Sequence, residues 1–217
     1  QTLEAANVGT WEWNIPENRV SWSPNIERIF GLPPGSFAGT YEAWLALVHP
    51  DDREAVTARV SDALAQRASY ESEFRFVRPD GSTGWQNTRG YLVLDERGEP
   101  RLLRGVVVDV SARRAAEDAA RLQAQVLETM TEGVSVADHD GILVYTNPAE
   151  DRMFGYDRGE LIGQHVTVQN AYPPEENARI VAEVIGELDA KGAWTGTWSN
   201  RRKDGTPFQT RSRITRL

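Results

Sequence analysis

The 217-residue chain contains no cysteine. Disulfide frameworks, thiolate metal sites, thiol nucleophiles and thioether-linked cofactors all need that sulfur, so each is excluded. The same absence fits a reducing compartment and points to the cytoplasm. No apolar run approaches the roughly 20 residues that span a bilayer, and no basic-then-apolar leader opens the chain. Net positive charge is missing too: 24 Lys and Arg stand against 32 Asp and Glu, giving a formal net charge of −8. A surface that displaces counterions from nucleic acid or anionic lipid needs clustered cations, so neither partner is expected. The one dense basic run, Arg201-Arg202-Lys203, precedes the turn signal Asp204-Gly205 and reads as a solvated hairpin tip.

What is there is the composition of a folded protein, with 40% hydrophobic and 26% charged residues, and a length that allows one large domain or two smaller ones. An internal repeat decides between them. Pro24 falls on Pro148, Phe30-Gly31 on Phe154-Gly155, and Asp80-Gly81 on Asp204-Gly205, all at one offset of 124 residues. Agreement in order without net insertion implies two copies of one fold.

Each copy opens with a hairpin. In the first, residues 10–14 and 20–23 are Trp-rich and bounded by Pro16 and Asn18; in the second, residues 133–137 and 142–145 flank Asp140-Gly141. A helix follows, because Asn147-Pro148-Ala149-Glu150 offers a cap, a proline at the first helical position and a carboxylate at the third. Ser23-Pro24 does the same more weakly. Asp51-Asp52-Arg53-Glu54 and Asp157-Arg158-Gly159-Glu160 read as capping boxes that start further helices. Alternating segments at 70–78, 85–94 and 101–110 then give three strands, with turns at Pro79-Asp80-Gly81 and 95–98. The fold class expected is α+β: a five-stranded antiparallel sheet with helices over one face. The second copy reaches strands at 194–202 and 207–217, and Leu217 corresponds to Val93, so its last strand is expected to be missing and the chain to be part of a longer protein. The expected division is a first domain at 1–110, a helical linker at 111–130 and a second domain at 131–217.

These residues resemble the PAS family of sensory domains. The first copy is similar to the subclass carrying Gly9-Thr10-Trp11-Glu12-Trp13, His49-Pro50-Asp51-Asp52, Phe74-Arg75-Phe76 before Asp80-Gly81, and Gly105-Val106-Val107-Val108-Asp109-Val110-Ser111. The second resembles the commoner form, with Asn147-Pro148-Ala149, Phe154-Gly155-Tyr156, Glu160-Leu161-Ile162-Gly163 and Asn200-Arg201-Arg202-Lys203-Asp204-Gly205. The resemblance implies a pocket between sheet and helices that holds a cofactor, a metabolite or only side chains. It also implies a covalently linked effector, as in a histidine kinase of a two-component system, a cyclic-dinucleotide enzyme or a chemoreceptor.

Light-sensing flavin members of that family use a Cys in a Gly-x-Asn-Cys stretch; here Gly163-Gln164-His165-Val166 stands in its place, and cysteinyl-flavin photochemistry is excluded. Non-covalent FAD remains open, since Trp194-Thr195-Gly196 and Asn200 are similar to flavin-binding relatives. Haem needs an axial ligand. Of the three histidines, His49 reads as a cap, His139 as a turn residue, and His165 as the one placed to approach a pocket. Strand alternation selects Phe74, Phe76 and Gln86 as pocket residues in the first copy, and the repeat offset selects Trp198, Asn200 and Thr210 in the second. No nucleophile and base pair, phosphate loop or metal-spaced cluster has confirming context, so no catalytic residue or metal ligand is assigned and any enzyme activity is expected outside this chain. Asp51, Asp52 and Glu54 read as helix-start acids rather than metal ligands.

Between the copies, residues 111–130 contain neither Gly nor Pro, and Ala112, Ala115, Ala119, Leu122, Val126 and Thr129 recur at alternating spacings of three and four. That is a coiled-coil seam, weak because its residues are small. The leading expectation is a dimerising signal-input module that senses a small ligand and relays the change through this helix, with a homodimer formed by the linker and domain surfaces. A redox or gas sensor holding FAD or haem, and a ligand-free interaction scaffold, are the alternatives.

Overall fold

The computed structural model describes residues 7–216, so Gln1 and the expected strand end at Leu217 lie outside the described residues. The chain divides into two compact units between Ala119 and Ala120.

In the first unit, β1 (Val8–Asn14) and β2 (Arg19–Trp22) form the hairpin, with Trp11 opposite Trp22. Helix α1 (Pro24–Phe30) starts with Pro24 in its first turn and stops at Gly31, whose φ of 67° is left-handed and suits glycine. Helix α2 (Tyr41–Leu47) is capped by Thr40, whose hydroxyl accepts from the Ala43 N–H at 3.2 Å. Helix α3 (Arg53–Gln66) leads to β3 (Tyr70–Val77), β4 (Thr83–Leu94) and β5 (Pro100–Asp109). The sheet order is β2-β1-β5-β4-β3, antiparallel throughout. β5 lies in the middle, paired with β1 from Val8↔Val108 to Asn14↔Leu102 and with β4 from Gln86↔Asp109 onward. Alternate residues of β3 (Tyr70, Ser72, Phe74, Phe76) turn inward, and α1 and α3 pack Ile26, Phe30, Val56 and Val60 against that face.

The acidic start of α3 is not a capping box. Asp52 makes no side-chain cap; its carboxylate instead accepts from Arg75 Nη2 at 2.6 Å, Arg75 Nε at 3.1 Å and the Arg75 N–H at 2.9 Å. The fork of a guanidinium on the neighbouring strand outcompetes a local turn bond, and hydrogen bonding from Arg75 holds Asp52 below the ordinary carboxylate range. His49 does the local capping, its Nδ1 accepting from the Asp51 N–H at 3.4 Å.

Helix α4 (Ser111–Thr129) follows β5 and crosses the division between the units. The second unit then contains β6 (Ser135–Ala137), β7 (Leu143–Thr146), α5 (Pro148–Phe154), α6 (Pro174–Lys191), β8 (Ala193–Arg201) and β9 (Pro207–Thr215). Its strands form two separate ladders, β6-β7 and β8-β9. The repeat explains this: β6 and β9 occupy the places of β1 and β4, the two strands that β5 joins in the first unit. Among the described residues no strand follows β9. The expected helix start at Asp157 is a run of turns instead. The Asp157 N–H does donate to Glu160 Oε2 at 3.0 Å, half of a capping box, but left-handed Gly159 and Gly163 stop a helix from propagating.

Asn147 is fully buried and does more than cap α5. Its Oδ1 accepts from the Glu150 and Val134 N–H groups, both at 2.9 Å, and its amide donates to the carbonyls of Leu127 and Glu132 at 3.2 and 2.9 Å. One side chain thus ties the last turn of α4 to the start of α5. Beside it, Glu150 is buried without a cationic partner among the described residues, its Oε1 accepting from Gln169 Nε2 at 2.9 Å. Burial pushes this carboxyl above its ordinary value of 4.5, against the lowering pull of hydrogen bonds from Gln169 and Ser135. The folded protein then binds this proton more tightly than the unfolded chain, so Glu150 costs stability as pH rises above about 4.5. Glu150→Gln should therefore raise the unfolding free energy of the second unit by about 1 kcal/mol at pH 7, with the gain shrinking toward pH 4; urea titrations at the two pH values check it.

Candidate functional site

Aromatic side chains from four elements meet over the inner face of the first unit's sheet: Trp11 and Trp13 from β1, Trp22 from β2, Tyr41 and Trp44 from α2, and Tyr70 from β3. They enclose a cavity of about 50 Å³. Bare backbone seats one of them. A Cβ on Gly90 would come within 2.6 Å of Trp11 Cη2, so glycine at this place in β4 lets the indole lie against the sheet. Trp11 Nε1 donates to Thr88 Oγ1 at 3.0 Å, and Thr88 donates to the Val106 carbonyl at 3.1 Å. Tyr41 stacks on Trp13 with ring centres 4.8 Å apart and meets Trp44 at 5.2 Å.

Two polar atoms in this lining are different. Tyr70 and Gln86 are 3% and 2% exposed, and neither Tyr70 Oη nor Gln86 Oε1 has a hydrogen-bond partner among the described residues. An unpaired buried polar group costs roughly 1–3 kcal/mol, so the cavity carries two such costs. Burial pushes the Tyr70 hydroxyl well up, against the lowering pull of the Ser72 side chain two residues on, so it stays protonated and able to donate. None of the described residues lining the cavity is charged.

Of the residues selected by alternation, Gln86 lines the cavity. Phe74 and Phe76 are buried on the same face but lie in the packed core beside it. Phe76 meets Phe30 edge-on at 4.7 Å, with Gly84 opposite leaving room for its ring, and Phe74 packs on Val48, Val56 and Trp44. Alternation assigns a face; helices α1 and α3 cover that end of the face. Tyr70 shares the same period-two pattern and could have been found from it. Trp11, Tyr41 and Trp44 come from elsewhere in the chain, and only the fold brings them together.

In the second unit, Trp198, Asn200 and Thr210 do cluster, but they are occupied with one another. Asn200 Nδ2 donates to Thr210 Oγ1 at 2.8 Å and to the Trp198 carbonyl at 3.4 Å; Trp198 Nε1 donates to Asn170 Oδ1 at 2.8 Å. A nearby groove of about 430 Å³ between Asn170, Tyr172, Asn177 and Val181 is open to solvent, and none of the three residues lines it. His165 is exposed and caps the short turn Val166–Gln169, its Nδ1 accepting from the Thr167 N–H at 3.3 Å, so it does not approach a pocket. The stretch after Gly163 is a short turn, Val166–Gln169, with His165 as its cap.

Neither FAD nor haem fits these surroundings. No histidine is among the described residues lining either space, and none of those lining the first unit's cavity carries a charge to meet a flavin's phosphates. The Asn200 amide that a flavin would use is already taken by Thr210 and Trp198.

Comparison with known proteins is consistent in both halves. The family described as the PAS fold matches residues 19–107 and again residues 122–217. Sensor protein FixL of Bradyrhizobium diazoefficiens is 28% identical over 170 residues, 76% of this chain and 34% of that protein. A blue-light-activated histidine kinase of Brucella anthropi is 32% identical over 115 residues, 53% of this chain and 23% of that protein. The chain thus spans about a third or less of the length of these relatives. A solved sensory box histidine kinase/response regulator from Burkholderia thailandensis superposes with a TM-score of 0.51 at 29% identity, covering 59% of this chain and 96% of that one.

If Tyr70 and Gln86 are held unpaired for a ligand, removing their polar atoms should stabilise the empty protein. Tyr70→Phe and Gln86→Leu are each expected to raise the unfolding free energy of the first unit by about 1–2 kcal/mol. Calorimetric or urea unfolding of the ligand-free chain reads this directly; a loss of stability in both variants would mean that the two groups serve the fold.

Proposed function

Because the chain belongs to the PAS fold family, one domain in each half, it is a signal-input module, and we propose that its first domain senses a small ligand in the aromatic cavity and passes the change to α4. The observation that carries this reading is the pair Trp85-Gln86 on β4. Gln86 lines the cavity with its Oε1 unpaired, while the main chain of Trp85 holds the start of α4. The Trp85 N–H donates to Ser111 Oγ at 2.8 Å and the Val110 N–H donates to the Trp85 carbonyl at 2.9 Å. Neighbouring residues on one strand therefore touch the ligand space and the output helix.

A second attachment supports the same relay. Glu73 on β3 accepts from Arg114 Nε at 2.5 Å and from Arg113 Nη2 at 3.1 Å, and Arg114 lies over the Trp85 ring at 4.7 Å. Burial pulls the Glu73 carboxyl up, but the hydrogen bond and charge of Arg114, with the charge of Arg113, hold it below the ordinary range. Asp109 adds a third link, accepting from the Ser111 N–H at 2.8 Å. A ligand that favours one arrangement of β4 over another by a few kcal/mol would bias this end of α4, whereas one binding both equally would shift nothing.

Beyond the first domain, Leu122 and Val126 stand exposed on α4 at a spacing of four, with the small residues of the same seam above and below. We read this stripe as the contact through which two copies pair, in the cytoplasm, upstream of a covalently linked effector such as a histidine kinase. The division into a first domain at 1–110, a relay at 111–130 and a second domain at 131–217 belongs to this reading. The second domain suits a ligand-free interaction role, since the polar groups of Trp198, Asn200 and Thr210 are satisfied internally.

The chain's lack of cysteine makes the relay measurable. A single Ala116→Cys substitution, on the exposed side of α4 and off the seam, accepts one nitroxide label. Adding Glu73→Gln should increase the label's mobility by loosening the first turn of α4, while β3 and β4 stay folded. An unchanged spectrum would mean that the sheet does not hold the helix there and would sink the relay.

A further inference from the structure

The sensory reading leaves the ligand unnamed, and the cavity's chemistry narrows it. Three features bear on this. The described lining is aromatic and uncharged, so a phosphate, carboxylate or ammonium group would be stripped of water with no counter-charge, at a cost of several kcal/mol. The demand for hydrogen bonds is specific: Gln86 Oε1 can only accept, so it needs a donor, and the Tyr70 hydroxyl needs an acceptor. Two further polar atoms of the lining, Trp11 Nε1 and Thr88 Oγ1, already serve each other and the Val106 carbonyl.

The two unmet groups are also far apart. Gln86 is paired with Phe74, and Tyr70 lies four residues before Phe74 on the same strand and the same face. At about 3.4 Å per residue their backbones are separated by roughly 14 Å along the sheet, and both residues line the same cavity. A single-ring ligand carrying adjacent donor and acceptor atoms would meet one of them and leave the other unpaired.

Resting on the sensory reading above, we propose that the first domain binds an uncharged, planar, two-ring heteroaromatic molecule, with a donor at the end facing Gln86 and a hydroxyl or other acceptor at the end facing Tyr70. The flat faces of Trp11, Tyr41 and Trp44 stack against it. The cavity of about 50 Å³ has room for a few waters, whereas even benzene occupies a cavity of roughly 150 Å³. The wall must therefore yield, and α2 is the element built to do so. It is seven residues long, none of them fully buried, and it follows an irregular stretch in which Gly35 and Gly39 take left-handed conformations. Its own contribution to the wall is Tyr41 and Trp44. Outward movement of Tyr41 and Trp44 would enlarge the space, while the far end of α2 stays tied to β3 through the Val48↔Phe76 bridge and the His49 N–H donating to the Arg75 carbonyl at 2.9 Å.

The test uses the whole chain and two neutral or charged probes of one shape, hydroxybenzimidazole and benzimidazole carboxylate, followed by isothermal titration and thermal unfolding at neutral pH. Hydroxybenzimidazole should bind and raise the melting temperature of the first transition, benzimidazole carboxylate should do neither, and Tyr70→Phe and Gln86→Leu should each weaken hydroxybenzimidazole by about tenfold. Equal binding of the charged probe, or affinity indifferent to both substitutions, overturns the ligand class while leaving a sensory cavity. No binding of hydroxybenzimidazole to a folded wild-type chain also overturns it, and the two unpaired groups then belong to ordered water. The relay is judged separately by the nitroxide label, whose response to Glu73→Gln does not depend on any ligand.

Discussion

The central place of β5 in the sheet is the constraint on which the first domain turns. Lying between β1 and β4, it joins the hairpin that carries Trp11 and Trp13 to the pair of strands that carries Tyr70, Gln86 and Thr88. Without that strand the two groups have no common ladder, and the second unit shows the consequence: its equivalent strands stand as two separate hairpins among the described residues. The same strand ends at Asp109 and runs into α4, so the element that closes the cavity floor also leads into that helix. Floor and output share one piece of backbone.

The cavity sits beside a core that is filled efficiently. Phe30, Phe76, Ile26 and Val107 close one end, and Val48, Val56 and Phe74 the side next to it. A fold with such packing would gain by filling the remaining space with one more apolar side chain. It carries two unpaired polar atoms there instead, each at a cost of roughly 1–3 kcal/mol. Departures of this kind from local optimality tend to sit where a protein does its work. The second domain presents the opposite case: Trp198 bonds Asn170, Asn200 bonds Thr210, and the chain of bonds continues to Asn177 and Ser212.

Much of this architecture is legible in the residues because it is locally encoded. Asn147-Pro148, Asp140-Gly141 and the left-handed glycines that end α1 and α5 act within a few residues, and the repeat at one offset turns weak single signals into a domain count. The failures arise where a distant partner decides. Asp52 looks like a cap until Arg75 arrives from β3. Asp157 and Glu160 form half a capping box, which Gly159 and Gly163 prevent from becoming a helix. Phe74 and Phe76 lie on the correct face, yet which inward residues line a cavity and which are packed away depends on where α1, α2 and α3 cover the sheet. His165 follows the expected turn but spends its ring on capping Val166–Gln169, which its own neighbours decide. Gln86, selected by alternation, lines the cavity; Tyr70 has the same alternation and is hidden by being an ordinary core residue type.

Occupation of the cavity should be felt at the start of α4. Amide hydrogen exchange of the whole chain, with and without saturating hydroxybenzimidazole, tests it most directly. The account expects slower exchange at Gln86 and Thr88 in the cavity floor together with a change at residues 110–115, where Trp85 and Glu73 hold the helix. Protection confined to α2 and the cavity strands, with residues 110–115 exchanging as before, would contradict it.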